Sequence, residues 1–319
     1  MKNQRKRLHD VNQLYIITII SYMTLSFAVA SVKNQLSELA SLIITQCILV
    51  VPTVVFVIKN KIRIREFLRF KRIKLTNIIV LLFLTFALIP VLNLISSVTL
   101  LFTNSPINNM MSTMVKKENF ILCIIAVAIL PAIFEEGVYR GVFYNEYSKV
   151  NLRKGILLSA FMFAVLHMNI NQFSYAFLMG IMFILIIEAT DSIVAAMIVH
   201  FLINAQSLLL IKLRPVIVEW LADQAAKAGA SFDKTLVLSN ELTANAIKES
   251  LPQLILHALV GGLFSVLFIW LLARSNGRTE HIKSLFKRSN SSEQLVTKPL
   301  AFTLAFLTAV MVMIELIRI

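Results

Sequence analysis

The stretch "FILCIIAVAILPAIFEEGVYRG", Phe120 to Gly141, sets the terms for the whole chain. Its first half has the composition of a membrane span. Its second half brings Glu135, Glu136 and Arg140 within six positions of one another. On a membrane-insertion scale three mid-helix charges cost on the order of 9 kcal/mol, and the apolar residues before them return about 5. Such a segment does not simply face lipid. Its charges lie at an interface, or they are paired inside a bundle.

The rest of the chain agrees with a membrane setting. Of its 319 residues 58% are hydrophobic and 15% charged, which excludes an ordinary soluble domain. The expected fold is all-α, a polytopic membrane helix bundle with about nine transmembrane helices. Apolar runs place them near 14–32, 38–58, 76–101, 119–139, 154–168, 172–188, 192–212, 252–273 and 299–317. The basic start "MKNQRKRLHD" followed by an apolar run ending "FAVAS" has signal-peptide features, but the run is long and reads as an uncleaved first helix. Three segments follow: 1–118, N-terminal helices with a basic loop; 119–212, a helical core carrying the candidate site; and 213–319, an outer connector and two C-terminal helices.

The net charge of +14 does not point to nucleic acid, because the basic residues lie in loops between spans. With the N-terminus in the cytoplasm, 21 of the 31 Lys and Arg fall in inner segments and 9 in outer ones. That bias predicts a multi-pass plasma-membrane protein, N-terminus inside and C-terminus outside. The abundance of Ile, Lys and Asn hints at an AT-rich bacterial genome. The loop 59–74, "KNKIRIREFLRFKRIK", interleaves apolar side chains with eight basic ones and predicts an amphipathic segment on anionic lipid. The 213–250 connector is expected to hold two short helices, with Ser239 or Asn240 as an N-cap. Cys47 and Cys123 read as small core residues, with no disulfide framework.

Helical spacing divides the charges. Glu136 and Arg140 are four apart and share a face, so they can form an ion pair. Glu135 is turned about 100° from Glu136 and lacks that cation, which makes it a candidate general base. Gly137 and Gly141 offer a small face for helix contact. Two more polar sets lie in spans: Phe163 and His167 in "FMFAVLHMN", and His200 and Asn204 in "MIVHFLINA". Singly, each residue reads as a hydrogen bond between helices. Jointly, a carboxylate, two imidazoles and an amide on three helices suggest a site. Their expected depths do not coincide, however: Glu135 falls about 6 Å from the inner surface, and His167 about 20 Å. His257 and Glu315 read as structural, His9 and His281 as solvated, and Ser192 as an N-cap. No serine-hydrolase elbow, zincin, P-loop or dinucleotide motif is present.

These sets, in this order, resemble the CPBP family, membrane proteases grouped with type II CAAX prenyl endopeptidases and bacteriocin-immunity proteins. The family pattern E-E-x-x-x-R, F-x-x-x-H, H-x-x-x-N stands here as Glu135-Glu136 with Arg140, Phe163 with His167, and His200 with Asn204. The resemblance covers about 120–212. The chain departs from it at Phe183, where the family often has glycine, and at Thr190-Asp191-Ser192 in place of T-G-S.

The resemblance implies an intramembrane endopeptidase acting on a membrane peptide or membrane-anchored protein near the inner leaflet. Glu135 with His167 would activate water, His200 and Asn204 would form an oxyanion hole, and Glu136, Arg140 and Phe163 would support the site. The cofactor expectation is none. Zinc on Glu135, His167 and His200 is the alternative, disfavoured by the mixed donor set and the missing zincin signature. The competing readings are a non-catalytic immunity or signalling scaffold, an enzyme acting on a lipid-linked substrate, and a proton-coupled transporter. No internal repeat supports the last.

Overall fold

A computed structural model describes residues 2–32, 36–103, 107–234, 244–287 and 294–318. Among these residues the fold is helical, without strands. Helix α1 is Lys2–Ser31, α2 Glu38–Lys59, α3 Ile64–Phe67, α4 Leu75–Leu100 and α5 Ile107–Lys117. Helix α6 runs continuously over Phe120–Ser148. Then come α7 Leu152–Val165, α8 Ile170–Thr190, α9 Ile193–Lys227, α10 Ala244–Ser275, α11 Thr279–Leu285 and α12 Lys298–Arg318. Eight of these (α1, α2, α4, α6, α8, α9, α10 and α12) are long and apolar enough to cross a membrane, so the chain is a multi-pass membrane protein. The expected span 154–168 is the shorter α7, whose 14 residues reach only about 21 Å.

Helix boundaries differ from expectation where a helix runs past its apolar stretch into polar sequence, as α1 does in starting at Lys2 rather than near 14. Helix α6 continues nine residues beyond 139, because Glu136 pairs with Arg140 and Glu146 pairs with Arg7 and Lys149. Helix α9 runs on to Lys227 through Pro215, and α10 begins at Ala244, before Pro252. The two helices fill most of the expected 213–250 connector. Ser239 and Asn240 lie outside the described residues. At about 52 Å, α9 is longer than a bilayer core of about 30 Å.

The segments expected on the inner side gather at one pole. Arg7 pairs with Glu146 at 2.7 Å, and Asn12 Nδ2 donates to the Leu295 carbonyl at 2.9 Å. Lys74 donates to the Ser275 carbonyl, and Arg153 to the Leu285 carbonyl. The knot of this basic pole is Glu188, buried at the end of α8. Its carboxylate accepts from Arg69 at 2.6 Å, Tyr144 at 2.9 Å and Arg278 at 3.3 Å, and lies 2.5 Å from His281 Nε2. Burial alone would lower the Arg69 pKa, but Glu188 beside it holds it above its ordinary value, so this ion pair stays charged. His281 is therefore part of the knot and not a solvated loop residue.

The loop between α2 and α4 is likewise tied to protein. Ile62 and Phe67 pack on one core and Leu68 and Ile73 on another, while Lys71 pairs with Asp191. Asp191 has a left-handed backbone, φ 54°, at the position where the resembling family often has glycine; Asp tolerates that conformation, and here its carboxylate is paired. Ser192 occupies the N-cap position of α9, but its hydroxyl donates to the Lys71 carbonyl and accepts no hydrogen bond from a helix N–H.

The main core joins all three expected segments, from Val11 through Phe143 and Phe163 to Leu300. Cys123 is buried, whereas Cys47 is exposed on the outside of α2. Of the two expected contact glycines, Gly141 meets Leu68 and Ile193, while a side chain at Gly137 would meet nothing. The closest approach at the site is Gly180, where a Cβ would stand 2.8 Å from the Ala160 backbone; only glycine lets α8 lie so near α7.

Candidate active site

Helix α6 owes its irregular course partly to Pro131. Proline has no N–H, so the Val127 carbonyl one turn earlier loses its ordinary helical donor. Around it, Ile125–Ile129 adopts i→i+5 bonding. Asn204 Nδ2, from α9, donates to the Val127 carbonyl at 2.9 Å. One expected site residue thus fastens α9 to α6 through a defect the sequence creates. A second wide stretch, Glu136–Tyr144, leaves the Tyr139 carbonyl to accept from Ser159 of α7 at 2.8 Å.

The two glutamates meet one imidazole. Glu136 Oε1 accepts from Arg140 Nη1 and from His200 Nδ1, each at 2.9 Å. On the far side of the ring, His200 Nε2 is 3.8 Å from Glu135 Oε2. A carboxylate only accepts, so the hydrogen of Nδ1 points at Glu136 and Nε2 faces Glu135. All four side chains are nearly fully buried: Glu135 6%, Glu136 0%, Arg140 2% and His200 2% exposed. The Arg140 guanidinium lies 4.2 Å over the Phe163 ring and 5.1 Å over Phe183. Such desolvated cation–π contacts stabilise by about 2 kcal/mol or more.

His167 follows the last turn of α7. Its Nδ1 is 3.2 Å from the Phe163 carbonyl, and its ring stands edge-on to Phe163 at 5.2 Å. A carbonyl only accepts, so Nδ1 carries the hydrogen and Nε2 of the neutral ring is left as a proton acceptor. The chain then reverses through Met168 at φ 47°, a conformation costing a non-glycine residue about 1–2 kcal/mol. Asn169 restarts the helix by accepting from the Gln172 amide at 2.9 Å. Strain held beside a candidate reactive group is where function commonly places it.

Glu135, His167, His200 and Asn204 all line one cavity of about 500 Å³. The depth mismatch expected from sequence disappears with the longer α6. Glu135 stands 13 residues before its end at Ser148, roughly 20 Å from the basic pole. His167, 15 residues past the start of α7, lies at a similar depth of roughly 22 Å. His257 and Glu315 do not line this cavity.

Two lining or packing residues escaped the sequence reading. Gln46, a lone amide in the apolar α2, donates from Nε2 to Glu135 Oε1 at 2.8 Å. It is the hydrogen-bond partner that orients the candidate base, and its Oε1 is buried without a partner. An amide in the middle of "IITQCILVV" was the available signal. Phe183 stacks on the His200 ring, centroids 5.1 Å apart and planes 23° from parallel. The departure from the family pattern at this position therefore lies against the site itself, not away from it.

Among the described residues no group of three His, Cys, Asp or Glu stands close enough to hold a metal ion, the expected alternative zinc set of Glu135, His167 and His200 included. One atom of each is engaged by protein: Glu135 Oε1 by Gln46, His167 Nδ1 by the Phe163 carbonyl and His200 Nδ1 by Glu136.

Residues 117–206 match the family model for type II CAAX prenyl endopeptidase, Rce1-like. The match spans less than a third of the chain and contains all three motifs, so the resemblance read from them is borne out over that segment. Comparison with curated proteins and with solved structures gives no match.

Proposed function

We propose that this chain is an intramembrane endopeptidase that hydrolyses a peptide bond in a membrane peptide or membrane-anchored protein. The observation that carries the reading is the single cavity lined by Glu135, His167, His200 and Asn204. The family match over 117–206 supports the same reaction class.

In this reading Glu135 takes a proton from a water in the cavity, and the water oxygen attacks the peptide carbonyl carbon. His167 shares the base role through its free Nε2. Negative charge grows on the carbonyl oxygen. Asn204 holds one amide hydrogen on Val127 and keeps the second for that oxygen; His200 donates from Nε2 in the protonated ring. Such donors, fixed in a low-dielectric site, are commonly the largest rate term. The tetrahedral intermediate then collapses. The C–N bond breaks, and the proton held by Glu135 passes to the departing amine. No step is routed through a metal.

Glu136 and Arg140 hold His200 in place, and Gln46 does the same for Glu135. Anionic lipid is proposed at the basic pole, where Lys59, Lys61, Arg65 and Arg72 are exposed. The N-terminus is proposed to be cytoplasmic, in a bacterial plasma membrane. The test compares wild type with Glu135→Ala, His167→Ala and His200→Ala in the host, identifying membrane peptides that accumulate. Loss of processing with unchanged protein level and thermal midpoint is expected from each. Full processing by all three variants would end the protease reading. Effects that merely track protein amount would favour the scaffold.

A further inference from the structure

A second cavity lies at the basic pole, between α1 and the end of α2, apart from the candidate active site. It holds about 210 Å³ and is lined by Lys6, Arg7, Asp10, Phe56, Asn60 and Ile62. Lys6, Arg7 and Asp10 precede the apolar run of α1, which begins near 14, and Asn60 follows the last residue of α2. The cavity sits where two spans leave the hydrocarbon, at the depth of lipid headgroups.

Its walls are built by the fold. The Asn60 side chain donates to the Phe56 carbonyl at 2.8 Å and closes the end of α2. Lys61 then takes a left-handed backbone, φ 51°, and the Ile62 amide returns to the Val57 carbonyl at 3.0 Å. This helix-ending turn brings Ile62 back toward Phe56, and both side chains pack on the main core. On the other wall Arg7 is held by Glu146, at 2.8 Å from Nη2 and 2.7 Å from Nε. Its charge is answered inside the protein.

Lys6 and Asp10 are different. They stand four apart on one face of α1, a spacing at which opposite charges ordinarily meet. Here no ion pair joins them, and among the described residues neither side chain has a hydrogen-bond or ion-pair partner. The cavity therefore presents one ammonium and one carboxylate, rooted about 6 Å apart along the helix. A simple anion would pair with Lys6 but meet Asp10 as a like charge. A ligand carrying both signs a few bonds apart answers both. Phe56, one turn inside α2, gives such a ligand an apolar wall toward the spans.

We propose that this cavity binds a phosphate ester bearing a primary ammonium, the chemistry of an aminophospholipid headgroup. The phosphate lies on Lys6 and the ammonium on Asp10. Asn60, with one amide hydrogen on Phe56, has a second for a phosphate oxygen. Exposed basic residues attract any anionic surface; this site instead selects one headgroup, and it needs no protease activity.

The test is ligand-dependent stabilisation of the full-length chain in detergent, read as thermal midpoint. The probes are phosphatidylethanolamine, phosphatidylcholine and phosphatidylglycerol of one acyl composition, and soluble phosphoethanolamine. Phosphatidylethanolamine is expected to raise the midpoint saturably, at concentrations roughly fivefold to tenfold below those the other two lipids need. Lys6→Gln is expected to erase that preference and Lys6→Arg to keep it. Asp10→Asn is expected to make phosphatidylglycerol the best of the three. Equal responses to the three lipids in the wild type, or a preference for phosphatidylglycerol, overturn the proposal. So does a preference that survives Lys6→Gln or Asp10→Asn unchanged. A response to soluble phosphoethanolamine as strong as that to the lipid supports the chemistry and names a soluble ester as its source; a response to the lipid alone supports it and names the membrane.

Discussion

Consider the buried pair Glu136 and Arg140, both side chains wholly inside the protein and 2.9 Å apart. Glu136→Gln keeps the shape and one accepting oxygen but removes the anion. The guanidinium, between two aromatic rings, then has no counter-charge at hydrogen-bond distance. Breaking a buried pair from one side costs about 3–5 kcal/mol. In a detergent-solubilised sample that corresponds to a fall in thermal midpoint on the order of 10 °C. The double variant Glu136→Gln/Arg140→Met removes both charges and fills the space with an apolar chain. Its stability is expected to return to within about 1–2 kcal/mol of wild type, because a buried pair replaced as a unit is often neutral. Turnover does not return with it. His200 has lost the carboxylate at its Nδ1, and a hydrogen bond to a charged group contributes about 1.5–3 kcal/mol. That is roughly a ten- to hundredfold loss of rate. The assay is a double-mutant cycle of thermal midpoints, with turnover of the peptide that accumulates in Glu135→Ala cells. A double variant as unstable as Glu136→Gln would show that the pair is not what the single substitution breaks. A double variant with restored turnover would refute the positioning role.

Gln46→Leu is expected to lower kcat roughly ten- to hundredfold with little change in KM or thermal midpoint, since it removes one hydrogen bond to the Glu135 carboxylate; a KM effect alone would show that Gln46 only lines the pocket. Phe183→Ala is expected to cost about 3–5 kcal/mol in thermal unfolding, because a fully buried ring leaves a void against His200 and Arg140. Phe183→Leu should lose less stability but still lower kcat. Glu188→Gln should destabilise the basic pole, leave Arg69 only the longer pair with Asp191 at 3.8 Å and lower the thermal midpoint, while leaving the kcat of the folded fraction unchanged. Turnover is expected to survive prolonged chelation, followed by metal analysis of the purified protein; activity that is lost and then restored by zinc would revive the metal alternative.

The helical bundle and the three motif sets were legible because they rest on apolar runs and on helical spacing. Glu136 with Arg140 and Phe163 with His167 fell where i,i+4 geometry puts them. The boundaries were not legible, because hydropathy ends a span at its first cluster of charges. Ionic residues of α6 that find partners inside the bundle carried that helix nine residues further. Cys47 was misread for a related reason. In lipid an outward face is as apolar as the core, so composition alone does not say which side faces protein. Contacts from α2 were out of reach altogether: nothing in local spacing says that Gln46, 89 residues before Glu135, points at it. The same holds for Glu188, whose partners include a loop residue 119 positions before it and a helical residue 93 after it.

One step joins the fold to the chemistry. Adjacent glutamates on an ideal helix point about 100° apart, and on that ground only Glu136 was expected to pair with Arg140, leaving Glu135 as a base. In the folded chain they keep different jobs but share an imidazole, Glu136 at Nδ1 and Glu135 facing Nε2. The wide turns on either side of Leu130–Glu135 set how α6 presents them. Proline at 131 underlies the first of these turns and frees the carbonyl that Asn204 takes. The motif on α9 is therefore held to α6 at two points one turn apart: His200 through Glu136, Asn204 through Val127. A proline in the middle of a span would ordinarily weaken the helix by about 3 kcal/mol. Here its missing hydrogen bond is made good across the cavity by Asn204. Replacing Pro131 by Ala should restore the helical donor to Val127, release the Asn204 amide and raise the thermal midpoint while lowering turnover. A variant both more stable and fully active would mean that this bond between α6 and α9 has no part in the site.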